Sequence, residues 1–268
     1  MYSKRPAQWV LRKLGTNESY VAPQDIHRVA MERGMTGVTI TDHNTIEGCL
    51  AIADLPGTFI SEEVTTYFPE DKCKVHVVAY DISEAQHREI ERARENIFDL
   101  VPYLEGEEIV FSLAHPLFKV NDRLTTDHIE KLLLMFRMLE LNGDQNEEEN
   151  VIVRQFATLL KEKDMMRMAD KHGMEPYHSE PWKKCLVCGS DDHSLLYAAT
   201  SYTEADAEDI EGFFNELLTG QTSTVCRSST PHTMAHKLYS IAYQHYRKRF
   251  SPGDGGAKVE HLARRRKR

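Results

Sequence analysis

At 268 residues the chain suffices for one large domain or two small ones, and 41 % hydrophobic with 28 % charged residues is the profile of a soluble globular protein. A net charge of −9 disfavours broad, sequence-independent binding of nucleic acid, which needs a positive face. No run reaches the roughly 18 apolar residues of a membrane helix, no signal peptide opens the chain, and five unevenly spaced cysteines argue for a reducing cytoplasm rather than a disulfide framework.

In chain order, apolar periodicity predicts a helix over 22–33, opened by Pro23 and stopped at Gly34. Strands are expected at 36–41, 58–66 and 74–80. Ser83 reads as the N-cap of a helix over 84–104, with Glu84 in its first turn. Strands at 108–114 and 137–142 follow, then a long helix over 147–172 closing at Gly173. A strand at 185–189 leads to a helix over 205–218. There Ile210, Phe213, Phe214, Leu217 and Leu218 form an apolar stripe suited to core packing. A last strand at 222–227 precedes a helix over 232–250 and a basic tail, 251–268, that reads as flexible.

Repeated β-α alternation implies a largely parallel sheet, either open and doubly wound or closed into a barrel. No glycine-rich phosphate loop follows the first strand, so a dinucleotide-binding fold has no support.

Buried strands ordinarily end in turn residues, but several here end in metal-ligand types. Asp42 and His43 follow the first strand, Glu63 interrupts the second, and His76 lies in the third. His115 precedes Pro116, Glu140 and Asn142 end MLELNG, and Asp191 and His193 close CLVCGSDDH. In a β/α barrel the carboxyl ends of the strands converge on one face, where such side chains meet. Imidazole with carboxylate suits Zn²⁺, Mn²⁺ or Fe²⁺ and argues against calcium.

Six segments in order, TITDHNTIEG, EEVTT, KVHVVAY, SLAHPL, LELNG and GSDDH, resemble the PHP family of polymerase and histidinol phosphatase phosphoesterases. The resemblance implies an α/β fold, a distorted seven-stranded TIM-like barrel spanning 1–230, with 231–250 as a C-terminal helix packed on or beside it. It implies metal ligands at His43, Glu63, His76, His115, Asp191 and His193, with Glu63 bridging two ions, and two or three Zn, Mn or Fe ions in a complete centre. Asp191 and Asp42 are the candidate catalytic carboxylates, Asp42 as an acceptor that orients an imidazole or, equally, as a strand-end cap. Glu140 and Asn142 are left open between a site role and a structural one.

The departure is at the front. Family members begin with a strand carrying Asp-x-His-x-His, and no His-x-His occurs here. The expectation is therefore either an internal or misassigned start to the sequence, favoured by the cost of leaving a central strand's neighbours unpaired, or a barrel that lacks its first strand and two ligands, with fewer metal ions.

Other features carry less. Cys185 and Cys188 have C-x-x-C spacing without the second pair a zinc knuckle needs, and read as strand cysteines on opposite faces. His232 and His236 lie one helical turn apart without the glutamate of a helix zincin. Arg5 and Arg227 are the candidate cations for a substrate phosphate, with exposed surface charges as the plainer reading.

The function expected is metal-dependent hydrolysis of a phosphate ester in a small phosphorylated metabolite or nucleotide, with no membrane role and nucleic acid possible but not favoured. The alternative is a catalytically impaired relative that binds a ligand or partner. A weaker third reading is cleavage of a carbon–nitrogen or ester bond in an amidohydrolase-type barrel.

Overall fold

The structure is a computed structural model that describes residues 21–250. Arg5 and the tail 251–268 lie outside the described residues.

Helix α1 (Pro23–Glu32) starts at proline, which fits the first turn because its missing N–H has no helical partner there. It buries His27, whose Nε2 lies 2.9 Å from Pro56 O, and the chain leaves it through Gly34 at φ +86°. Helix α2 (Glu47–Leu50) is a single turn. Strands β1 (Glu62–Tyr67) and β2 (Lys74–Tyr80) form an antiparallel hairpin. The six residues between them are too few for the crossover that parallel pairing requires.

Helices α3 (Glu84–Ala93) and α4 (Ile97–Gly106) replace the single helix expected over 84–104. Ser83 caps α3 as expected, in a capping box with Gln86, but Asn96 accepts from Phe98 N and starts a second helix. Strand β3 (Val110–Leu113), helix α5 (Thr126–Met135) and strand β4 (Met138–Asn142) follow. The helix expected over 147–172 is likewise two, α6 (Glu147–Leu159) and α7 (Glu162–His172), broken by extended backbone at Leu160 and Lys161. Helix α7 ends at Gly173, in the left-handed conformation at φ +58°. The remaining elements are β5 (Cys185–Gly189), β6 (Tyr202–Glu204), α8 (Ile210–Thr219), β7 (Ser223–Val225) and α9 (Pro231–Phe250).

The result is a mixed α/β fold. Strands β1 to β5 form one sheet in sequential order, antiparallel from β1 to β3 and parallel from β3 to β5. Strands β6 and β7 form an antiparallel pair beside β5. The expectation of a largely parallel sheet is thus corrected for its first half. Among the described residues the strands make these two sheets and no closed barrel.

The first expected strand is also different. Residues 38–43 run parallel to 58–63, bridged at Val38 with Thr58 and at His43 with Glu63. Between those bridges the thiol of Cys49 takes the place of the ladder. Ile40 N donates to Sγ at 3.2 Å, and Sγ lies 2.9 Å from Ile40 O. The buried backbone groups are satisfied by a side chain, so the segment stays extended without forming a regular strand.

Period-two alternation decides what the site receives. Val64, Val75, Val77, Leu113, Leu139 and Leu141 face Leu100, Leu104, Leu132 and Leu134 in the main core. Burying each such side chain contributes about 1.5–3 kcal/mol. Their strand neighbours Glu63, His76, Glu140 and Asn142 consequently point to the opposite face. On that face Met138 and Val187 pack with Phe214 and Leu217, the buried part of the α8 stripe, whereas Leu218 is exposed.

Lys184 is buried before β5, with Nζ donating to Leu133 O at 2.5 Å and Phe136 O at 2.6 Å. Burial pushes its pKa down to about 7. A neutral amine has two N–H donors, and two carbonyls at the end of α5 receive them. The folded form binds fewer protons than the unfolded chain between about 7 and the ordinary 10.5, so stability should rise with pH across that window. Urea denaturation at a series of pH values should show that rise, and Lys184→Met should flatten it.

Candidate metal centre

Glu63 Oε1 is the point on which the site converges. His76 Nδ1 lies 2.5 Å from it, His115 Nε2 3.0 Å and His43 Nδ1 3.9 Å. His76 Nδ1 and His115 Nε2 are 3.2 Å apart. Glu63, His76 and His115 are all buried, and among the described residues imidazoles are the only ion-pair partners of Glu63. One ligand atom each from His43, Glu63 and His76 fits within 4.8 Å.

Burial works against the Glu63 carboxylate ion, yet hydrogen bonds from His115 and His76 hold its pKa well below the ordinary value. For His115, burial lowers the pKa but the Glu63 bond and charge raise it, to about 9. Burial lowers that of His76. Among the described residues this buried carboxylate is ringed by imidazoles with no lysine or arginine paired to it, a donor set that suits a divalent cation.

The backbone around these ligands is fixed by groups the sequence left undecided. His115 sits at φ +29°, a strained value for a residue with a Cβ. It is held there because its N–H donates to Glu140 Oε2 at 2.8 Å. Asn142 Nδ2 donates to the same Oε2 at 2.9 Å and to Asp191 Oδ2 at 3.2 Å. Burial raises the pKa of Glu140 to about 7. Asp191 is also left-handed, at φ +44°, and its Oδ1 lies 3.7 Å from His193 Nδ1.

Asn44 was not singled out in the sequence. At φ +53°, it accepts from Thr65 N at 2.7 Å and donates its own N–H to Glu63 O at 3.0 Å, which seats His43 beside β1. Its signal was its place next to the Asp-His pair. The Asp42 side chain lies against Gly48, where any added Cβ would collide with Oδ2. Burial raises the Asp42 pKa, and nearby His43 and His193 oppose the shift.

The structure therefore brings together Asp42, His43, Glu63, His76, His115, Asp191 and His193. Arg227 is exposed, with its backbone N–H bonded to Ser201 Oγ at 2.9 Å, and it is not among the residues lining the adjoining cavity. That cavity, of about 880 Å³, is bounded by Asp42, Tyr80, Glu140, Asn142, Asp191 and His193 among others. A second group, Asp127, Glu130 and His172, has comparable ligand types. Lys171 Nζ already sits 2.7 Å from Asp127 and 2.5 Å from Glu130, which satisfies those carboxylates as a surface ion pair. No helix among the described residues is long and apolar enough to cross a membrane.

No protein-family model and no curated protein matches the chain. Solved structures with similar folds include a candidate metal-dependent phosphoesterase from Bifidobacterium adolescentis, at 12 % identity and TM-score 0.43, covering 81 % of this chain and 94 % of that one. A two-domain protein from Bacteroides vulgatus, containing a predicted PHP-like metal-dependent phosphoesterase, is 11 % identical with TM-score 0.46, covering 84 % and 66 % of the two chains. A lesion-specific endonuclease from Pyrococcus furiosus is 13 % identical with TM-score 0.47, covering 78 % and 55 %. At such identities and TM-scores the chemistry has to be read from the residues of the centre themselves.

Gly48→Ala should force Asp42 away from α2 and lower stability by about 1–3 kcal/mol, as overpacking of a tight contact does. Urea denaturation compared with the native chain measures it. An unchanged midpoint would mean that the Asp42 carboxylate is free to move.

Proposed function

We propose that this chain is a metal-dependent phosphoesterase of the PHP type, and that its sheet and hairpin are parts of that family's distorted barrel. The observation that carries the reading is Glu63 Oε1, a buried anionic oxygen on which three imidazoles converge. His43, Glu63, His76, His115, Asp191 and His193 would hold Zn²⁺, Mn²⁺ or Fe²⁺. A bound ion of this class supplies Lewis-acid polarisation of a phosphoryl oxygen and acidifies a water.

The chain's own groups do the rest. Glu63 draws His76 Nδ1 and His115 Nε2 to one oxygen, and Glu140 holds the strained His115 backbone. Asn142 fixes Oδ2 of Asp191, leaving Oδ1 toward His193 as the atom placed to take up a proton. Asp42 lies at the cavity wall with His193 and sets the field at that side. The acidic lining favours a small phosphorylated metabolite or nucleotide that enters with its charge neutralised by the ion. Polyanionic polymers would be repelled by the same lining.

The test is hydrolysis of p-nitrophenyl phosphate and bis(p-nitrophenyl) phosphate with added Mn²⁺ or Zn²⁺. Activity is expected, and chelation, Glu63→Gln and His76→Ala should each abolish it. Metal binding without turnover of either ester would move the chain to the ligand-binding alternative, and cleavage of an amide but of no phosphate ester would overturn the proposal. Asn142→Ala removes the support of Asp191 without removing a ligand. It should weaken Mn²⁺ affinity roughly 10–100-fold by calorimetry.

A further inference from the structure

Cys188, on β5, and Cys226, just past the end of β7, are free thiols on segments that pack together. Cys188 Sγ lies 3.4 Å from Val225 O, the carbonyl joined directly to Cys226, which sets the Cys188 sulfur against the backbone that carries the Cys226 side chain. Cys188 is buried and Cys226 half-buried, so one member of the pair is open to a small solute. The remaining cysteines are separately housed: Cys49 is bonded between backbone groups of 40 and 61, Cys73 is buried in the main core, and Cys185 lies against Gly220.

We propose that Cys188 and Cys226 are a redox-active dithiol that reduces a hydroperoxide and closes to a disulfide beneath the metal centre. The Cys226 sulfur attacks the terminal peroxide oxygen, the O–O bond breaks, and an alcohol or water leaves with a proton, giving a sulfenic acid at Cys226. The Cys188 sulfur then attacks the Cys226 sulfur. The S–O bond breaks, and the departing hydroxide takes the Cys188 proton as water. The two thiols lose two electrons, the peroxide gains them, and the products are one disulfide, one water and one alcohol or second water.

The roles are asymmetric in the required sense. The neighbouring Cys188 thiol lowers the pKa of Cys226 to about 7, burial opposes this, and the Arg154 charge assists it. The proximity of Cys226 and burial raise that of Cys188, making it the proton-bearing partner. The pair also adjoins the network that holds the site. Ser228 Oγ accepts from Asn150 Nδ2 at 2.9 Å, Asn150 Oδ1 accepts from Asn142 N at 2.9 Å, and Asn142 bonds Asp191 and Glu140.

Full-length protein treated with hydrogen peroxide near neutral pH should lose the mass of two hydrogen atoms, regained with dithiothreitol, and peptide mapping should place the crosslink at Cys188–Cys226. Cys188→Ser should stop at the sulfenic acid and take up dimedone at Cys226. This reading is independent of phosphoesterase activity, which the mass measurement does not involve. Oxidation of Cys49, Cys73 or Cys185 ahead of the pair would overturn it. So would over-oxidation of Cys226 in the native chain with no disulfide.

Discussion

The structure depends on one unfavourable placement, the Glu63 carboxylate buried on a strand. An ionised carboxylate away from water is tolerated only with compensating partners, and here those are imidazoles from three other segments. His76 comes from the hairpin partner of β1, diagonal to Glu63 in a register that pairs Thr65 with His76. His115 comes from the end of β3 and His43 from the irregular segment beside β1. Each must arrive within a few ångströms of one oxygen. The site thus constrains the antiparallel register, the strained turn at His115 and the position of residues 42–44 together.

The residues that converge on Glu63 stand out in the sequence because histidine and glutamate inside or just after buried strands are locally inconsistent, and such inconsistencies mark sites. Their supports do not. Glu140, Asn142 and Asn150 act through contacts separated by up to 78 residues, and nothing in MLELNG alone distinguishes an interior carboxylate that holds a backbone N–H from an ordinary strand-end acid. Arg227 illustrates the reverse. A cation at a strand end looks suited to phosphate, whereas what the fold fixes is its backbone, through Ser201.

The element boundaries failed where a side chain competed with the backbone. Helical periodicity continues through Arg94, Glu95 and Asn96, but the Asn96 amide takes over the donor that would continue the helix, and the chain restarts. The β-branched run before Asp42 has strong strand character, but the ladder it would form with 58–63 is interrupted by the Cys49 thiol. Sheet direction failed for a simpler reason. Alternation of strands and helices suggested parallel pairing, while the short link between β1 and β2 already required a hairpin.

The two halves of the candidate centre are built differently. Glu63, His76 and His115 stand on or beside paired strands with the main core behind them. Asp191 and His193 belong to a loop held from outside. Ser240 and Gln244 of α9 both donate to Ser194 O at 3.1 Å, Tyr197 Oη lies 3.2 Å from His236 Nδ1, and Arg33 donates to Leu196 O and Ala198 O. A loop clamped by hydrogen bonds to an exposed helix opens at lower free energy than strands backed by a close-packed core, because fewer apolar contacts must be lost. The Asp191–His193 side of the 880 Å³ cavity is therefore the more easily opened and the Glu63 side the more rigid. Helix α9, at least 38 residues beyond His193, thus holds the loop that carries Asp191 and His193.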